Sequence, residues 1–194
     1  MLAEMKARTR QGAERLVQPL VQAGVSPNVL TLAGFLLNGV VGGLLALGVG
    51  PVGGLLVWLA GATDLLDGAL ARAAGRSSVF GAFLDSTLDR FSEAVVLLGL
   101  LGLFLRQGEM GGAVPVTLAL IGSFMVSYTR ARAEGLGLRC EVGWFDRPAR
   151  VAMLGLGLLL GQPVLTLWVL AVAAHWTVLQ RVWHVARLTR PGGG

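Results

Sequence analysis

The stretch Asp64-Leu65-Leu66-Asp67-Gly68-Ala69-Leu70-Ala71-Arg72, followed after eight residues by Gly81, Asp85 and Asp89 at intervals of four, decides how the chain is read. At roughly 100° per residue, Asp64, Asp67, Gly68 and Ala71 follow an i, i+3, i+4, i+7 spacing and share one helical face, while Gly81, Asp85 and Asp89 form a second stripe. Two helices joined by the short polar turn 74–78 therefore point four carboxylates at each other. That is a site for divalent cations.

Both stripes run directly into apolar segments, 52–62 before and 94–105 after. One carboxylate at membrane depth costs about 2.5–3.5 kcal/mol on insertion scales, so four demand compensation. Two Mg²⁺ ions balance four aspartates in formal charge. Small hard cations prefer such oxygen ligands, keep several waters and are completed by substrate phosphates.

The full pattern, Asp-x-x-Asp-Gly-x-x-Ala-Arg-x8-Gly-x3-Asp-x3-Asp, resembles the signature of the CDP-alcohol phosphatidyltransferase family, integral membrane enzymes of phospholipid synthesis. Every fixed position is filled here.

Composition leads independently to the membrane. Of the 194 residues, 54% are hydrophobic and 14% charged, against about 25% charged in ordinary soluble domains. The expected fold is all-α: a polytopic membrane protein in one domain spanning 1–194, with a juxtamembrane helix at 1–24 and six transmembrane helices within 25–190. A chain of this length has room for about six spans of roughly 20 residues each. Glycine is abundant and scattered through the apolar runs, where small residues allow close helix packing; Gly42, Gly43, Gly155 and Gly157 are assigned to that role. One cysteine, Cys140, excludes an intrachain disulfide and a cysteine-based zinc site. The first 25 residues lack the apolar core of a signal peptide, so the first span is expected to direct insertion.

A net charge of +5 raises the question of nucleic acid, but the positions of the basic residues answer it otherwise. Lys6, Arg8, Arg10 and Arg15 precede the first span, Arg72 and Arg76 lie at the second-third turn, and Arg130, Arg132, Arg139, Arg147 and Arg150 at the fourth-fifth connection. Arg187 and Arg190 follow the last span, and only Arg106 falls on the other side. This asymmetry places both termini and the aspartates toward the cytoplasm, in an expected plasma-membrane protein.

Taken in order, 1–24 reads either as an amphipathic helix on the membrane surface, interrupted near Pro19, or as a simple basic topogenic tail. Ser26 is expected to cap the first span, with Pro27 at its first position and Asn28 and Thr31 one turn apart near its cytoplasmic end. Gly68 and Ala71 leave room for a ligand against the second span, and Arg72 sits where it could reach a diphosphate or anchor the helix at the interface. Glu93 continues the aspartate stripe one turn deeper and is left without a role. Arg181 lies well inside the sixth span, where a cation should face the interior or a polar cavity. His175 and His184 have no partner histidine at metal-ligand spacing and read as satisfied helix residues.

The resemblance supplies the chemistry. It implies transfer of a lipid phosphate from a CDP-linked lipid to an alcohol, with CMP leaving and the last aspartate of the motif, Asp89, as base. Asp64, Asp67 and Asp85 then hold metal, with Asp89 shared between the two roles; two Mg²⁺ per site, or Mn²⁺, would serve. Nucleotide and diphosphate are expected on Asn28, Thr31, Asp67, Gly68, Ala71, Arg72 and Gly81. The segments 85–90, 127–134 and 146–150 further resemble the inositol-phosphate branch of the family. They place Arg130, Arg150 and Arg181, together with Arg147, at the acceptor phosphate. The family also implies a homodimer. Glycerol 3-phosphate is the rival acceptor, and a cation transporter the rival from another class; the latter is disfavoured because the carboxylates cluster at one end, beside Arg72. No nucleic-acid partner is expected.

Overall fold

The computed structural model describes residues 12 and 14–190. Among these the chain is helical with no strand: α1 (Gln18–Gln22), α2 (Pro27–Leu47), α3 (Val52–Ala73), α4 (Val79–Gln107), α5 (Met110–Gly135), α6 (Arg147–Leu159) and α7 (Pro163–Leu188). Half of the expected interfacial helix, 12 of its 24 residues, lies outside the described residues, as does the terminal run 191–194. Within them, Pro19 falls in the first turn of α1, and Val17 is buried against Ala69 and Leu70. The segment before the first long helix is thus pinned to the end of α3 that carries the aspartates.

Helix boundaries follow local chemistry. Ser26 occupies the N-cap of α2 in extended conformation with Pro27 next, although its hydroxyl makes no capping bond among the described residues. Ser78 caps α4 by accepting from the Gly81 amide at 2.9 Å, and Asp146 caps α6 by accepting from the Ala149 amide at 3.3 Å. The turn from α3 into α4 passes through Gly75 at φ +62°, a left-handed position that glycine adopts without strain.

Four helices, α2, α3, α5 and α7, are long and apolar enough to cross a membrane. The other two explain why six spans are not equally plain. The 29 residues of α4 extend about 43 Å, but Asp85, Asp89, Arg90 and Glu93 crowd its first half. The 13 residues of α6 extend only about 20 Å, short of a hydrocarbon core of about 30 Å. Leu36, Val40, Leu59, Leu98, Val172 and Trp176 face outward and exposed, as suits an integral membrane protein whose solvent is lipid. Polar side chains inside the long helices bond their own backbone: Asn38 Nδ2 donates to Gly34 O at 2.9 Å, and Thr177 Oγ1 to Ala173 O at 2.9 Å.

The pairs α2 with α4 and α5 with α7 pack most extensively, while α3 is held between α2 and α6. Their common core contains Leu45, Val57, Leu100, Phe104, Leu154 and Leu167. Helices α2 and α4 meet through glycine: a Cβ at Gly42 would lie 2.6 Å from the Val95 carbonyl, and one at Gly99 would press into the carbonyl of Gly42. Gly155 and Gly157 are similarly crowded, by Trp58 and Thr166. Gly43 differs from the expectation: nothing among the described residues comes within 4 Å of its would-be Cβ, because it is one residue, and so about 100°, off the packed face.

Candidate active site

The α3–α4 turn brings the two halves of the signature side by side, but the four carboxylates separate into two pairs. Asp67 and Asp85 face an open cleft of about 600 Å³ between the beginnings of α2 and α4 and the end of α3. Asp64 and Asp89 lie on the side facing α6, where Arg147 bridges them: its Nη1 is 2.6 Å from Asp64 Oδ2 and 2.8 Å from Asp89 Oδ1. The pairs remain one electrostatic unit, since Asp89 is within Coulombic reach of both Asp64 and Asp85, and Asp67 of Asp85 and Asp64.

Among the described residues, no three acidic, histidine or cysteine side chains stand in the arrangement of a metal site. Between Asp64 and Asp89 the Arg147 guanidinium supplies positive charge. The donor set nonetheless suits a hard dication, being carboxylate oxygens on two facing helices next to a polar, open cleft.

All seven residues expected at nucleotide and diphosphate, Asn28, Thr31, Asp67, Gly68, Ala71, Arg72 and Gly81, line that cleft. Thr31 Oγ1 donates to the Pro27 carbonyl at 3.1 Å and lines the same cleft as Asp67, which is only 5% exposed. Gly81 keeps the opposite wall open, because a Cβ there would lie 3.0 Å from Ser78 Oγ and 3.2 Å from Asn28 Oδ1. Arg76, Ser77 and Ser78 also line the cleft and were not anticipated. Their signal was the polar α3–α4 turn itself, which the sequence reading used only as a connector. Arg76 Nη1 further donates to Gly24 O at 3.3 Å, tying that turn to the entrance of α2.

The basic residues expected at an acceptor phosphate stand in different states. Arg130 is half-exposed and paired with Glu134 at 2.8 Å, one turn away on α5. Arg150 is only 2% exposed; its Nε and Nη2 grip the two oxygens of Glu93 at 2.6 and 2.8 Å, and its Nη1 donates to Phe145 O at 3.2 Å. Glu93 therefore has a definite partner across 57 residues of sequence. Arg181 is buried as its depth in the last span demanded, donating Nε to Val142 O at 3.0 Å and Nη1 to Val126 O. It ties the 136–146 loop to α5 and α7 and lies within Coulombic reach of Arg130 and Arg150. His175 Nδ1 is 2.8 Å from Ala171 O, and His184 Nε2 is 3.2 Å from Arg139 O, so both are satisfied by backbone.

Comparison with known proteins agrees with this geometry. A sequence model of the CDP-alcohol phosphatidyltransferase family matches residues 24–180. The chain is 35% identical over 196 residues to the archaetidylinositol phosphate synthase of Pyrococcus horikoshii, covering 99% of this chain and 100% of that one. The crystal structure of Mycobacterium tuberculosis phosphatidylinositol phosphate synthase with CDP-DAG bound superposes with a TM-score of 0.83 at 31% identity, over 93% of this chain and 96% of that one. The same enzyme in complex with manganese and citrate superposes equally well, with a TM-score of 0.83 at 31% identity, over 93% of this chain and 91% of that one. A signature filled at every fixed position, the α3–α4 geometry that assembles it and a match running nearly end to end converge on one conclusion: the chain belongs to the CDP-alcohol phosphatidyltransferase family.

Proposed function

We propose that the protein transfers the phosphatidyl or archaetidyl group of a CDP-linked lipid to inositol 1-phosphate, releasing CMP. The observation that carries this reading is the α3–α4 pairing, which sets Asp67 and Asp85 into a cleft with Arg72 and Asn28, in a chain resembling inositol-phosphate-lipid synthases along its full length. CMP and the diphosphate occupy that cleft, against Asn28, Thr31, Gly68, Ala71, Arg72 and Gly81, with Arg76 added from the turn. When bound, two Mg²⁺ ions held by Asp64, Asp67, Asp85 and Asp89 would neutralise the diphosphate and polarise the phosphorus under attack; the manganese complex of the relative supports the use of a divalent cation.

The acceptor hydroxyl loses its proton to Asp89 as its oxygen bonds to the lipid-linked phosphorus, and the bond from that phosphorus to the CMP oxygen breaks with its electron pair. The acceptor's own phosphate is met by Arg130, whose charge is open to solvent, with Arg150 and Arg181 beneath adding positive potential and Arg147 alongside. We further assign α4 and α6 as membrane spans, which brings the total to six, the active site to the cytoplasmic side of the plasma membrane, and a homodimer as the working unit.

Purified protein incubated with a CDP-lipid and Mg²⁺ is expected to release CMP with inositol 1-phosphate. Release with glycerol 3-phosphate alone would transfer the assignment to that acceptor.

A further inference from the structure

Among the described residues, Arg147 is the one basic side chain paired with the site's own carboxylates on both helices, its Nη1 lying close to an oxygen of each. It is held in place at the start of α6 by the Asp146 cap before it and Pro148 after it. A dication shared by Asp64 and Asp89 would be drawn to the same two carboxylates that hold this nitrogen at 2.6 and 2.8 Å, and at that range it repels the guanidinium, so the two cations compete for the space between the aspartates. Arg147 has somewhere else to go. Its Nε is buried without a hydrogen-bond partner among the described residues, and the side chain borders an internal cavity that also touches Glu93, Asn38 and Ser123. That cavity leaves about 30 Å³ for a water-sized guest, enough for a water or a re-angled guanidinium tip. Glu93, within Coulombic reach of Arg147, offers it negative charge on that side.

We infer that Arg147 is a built-in, displaceable counter-ion: it bridges Asp64 and Asp89 while the site lacks metal and withdraws toward the Glu93 cavity when a dication takes those oxygens. This rests on the reading of the aspartates as metal ligands. The arrangement stabilises two of the four carboxylates in an apolar bundle between turnovers, at the expense of metal affinity, because dication binding must break two charge-assisted contacts.

The sign of one measurement decides. A bridge that is displaced competes with metal, so its removal tightens binding; a bridge that persists beside the metal orders the ligands, so its removal loosens binding. Mn²⁺ binding to detergent-purified protein, read as loss of the free-ion electron paramagnetic resonance signal without lipid or acceptor, would be compared for the parent and Arg147→Gln. Unfolding temperature in EDTA would be recorded alongside. The expected result is a dissociation constant lower by about tenfold in Arg147→Gln, with a lower unfolding temperature in EDTA and a larger rise on saturation with Mn²⁺. Should Arg147→Gln not fold, Arg147→Lys, which keeps the charge but loses the planar fork, is expected to bind Mn²⁺ a few-fold more tightly. Unchanged or weaker Mn²⁺ binding in the folded variant would overturn the inference while leaving the metal assignment intact. Absence of Mn²⁺ binding by the parent would overturn both.

Discussion

Asp89 stands where two demands meet, since it is bridged to Asp64 through Arg147 and also faces the charge of Asp85. Replacing it with asparagine keeps the shape but removes the carboxylate to which the proposed mechanism gives both metal binding and proton acceptance. Asp89→Asn is expected to lower CMP release about 10²- to 10⁴-fold at saturating substrates; a variant within a few-fold of the parent would remove Asp89 from the chemistry. The identity of such residues was readable because the signature places them by spacing alone, within single helices. Their partners were not. Arg147 and Arg150 are one helical turn apart in the same run, and which of them reaches Asp89 and which reaches Glu93 depends on the axial height and rotation of α6 against α4. Sequence periodicity fixes rotation within a helix but says nothing of its register against another.

At the scale of the helix, close approach and buried charge control stability. Gly42 and Gly43 are adjacent and chemically identical, yet only Gly42 faces α4. Gly42→Val should therefore cost about 1–3 kcal/mol through overpacking, whereas Gly43→Val should leave the unfolding temperature in detergent near that of the parent. Equal losses from both would mean that the α2–α4 contact lies elsewhere. The ion pair between α4 and α6 makes a stronger demand. Glu93→Ala leaves the 2%-exposed Arg150 without its carboxylate, and breaking such a pair typically costs about 3–5 kcal/mol. Chemical denaturation in mixed micelles would measure it. Replacing both partners with apolar residues of similar volume is expected to recover much of the loss, because it is the orphaned charge that destabilises.

For the molecule as a whole, hydropathy and capping made the outline legible: α2 starts at Pro27 after Ser26 as expected, and α3 starts at Val52 with the apolar segment that runs into the signature. The opening of α6 at Arg147 was legible too, whereas the fold of the 136–146 loop before it was not: Cys140 and Phe145 are buried and Val142 O accepts from Arg181, 39 residues away. Topology tests the whole arrangement. The excess of arginine at the α3–α4 and α5–α6 connections, against Arg106 alone on the opposite side, is the ground for the proposed cytoplasmic placement of the aspartate end. Cys140 is buried, so a Cys140→Ser background permits single reporters: Ser77→Cys on the α3–α4 turn and Glu109→Cys between α4 and α5. The 29 residues of α4 separate the two by about 43 Å, more than the hydrocarbon thickness. A membrane-impermeant maleimide should label Glu109→Cys in intact spheroplasts and Ser77→Cys only in inverted vesicles. The opposite pattern would reverse the orientation, and labelling of both from one side would mean that α4 does not cross. Because CDP-linked nucleotides and phosphorylated polyols are charged and do not cross lipid unaided, the same experiment fixes the compartment from which the substrates must be drawn.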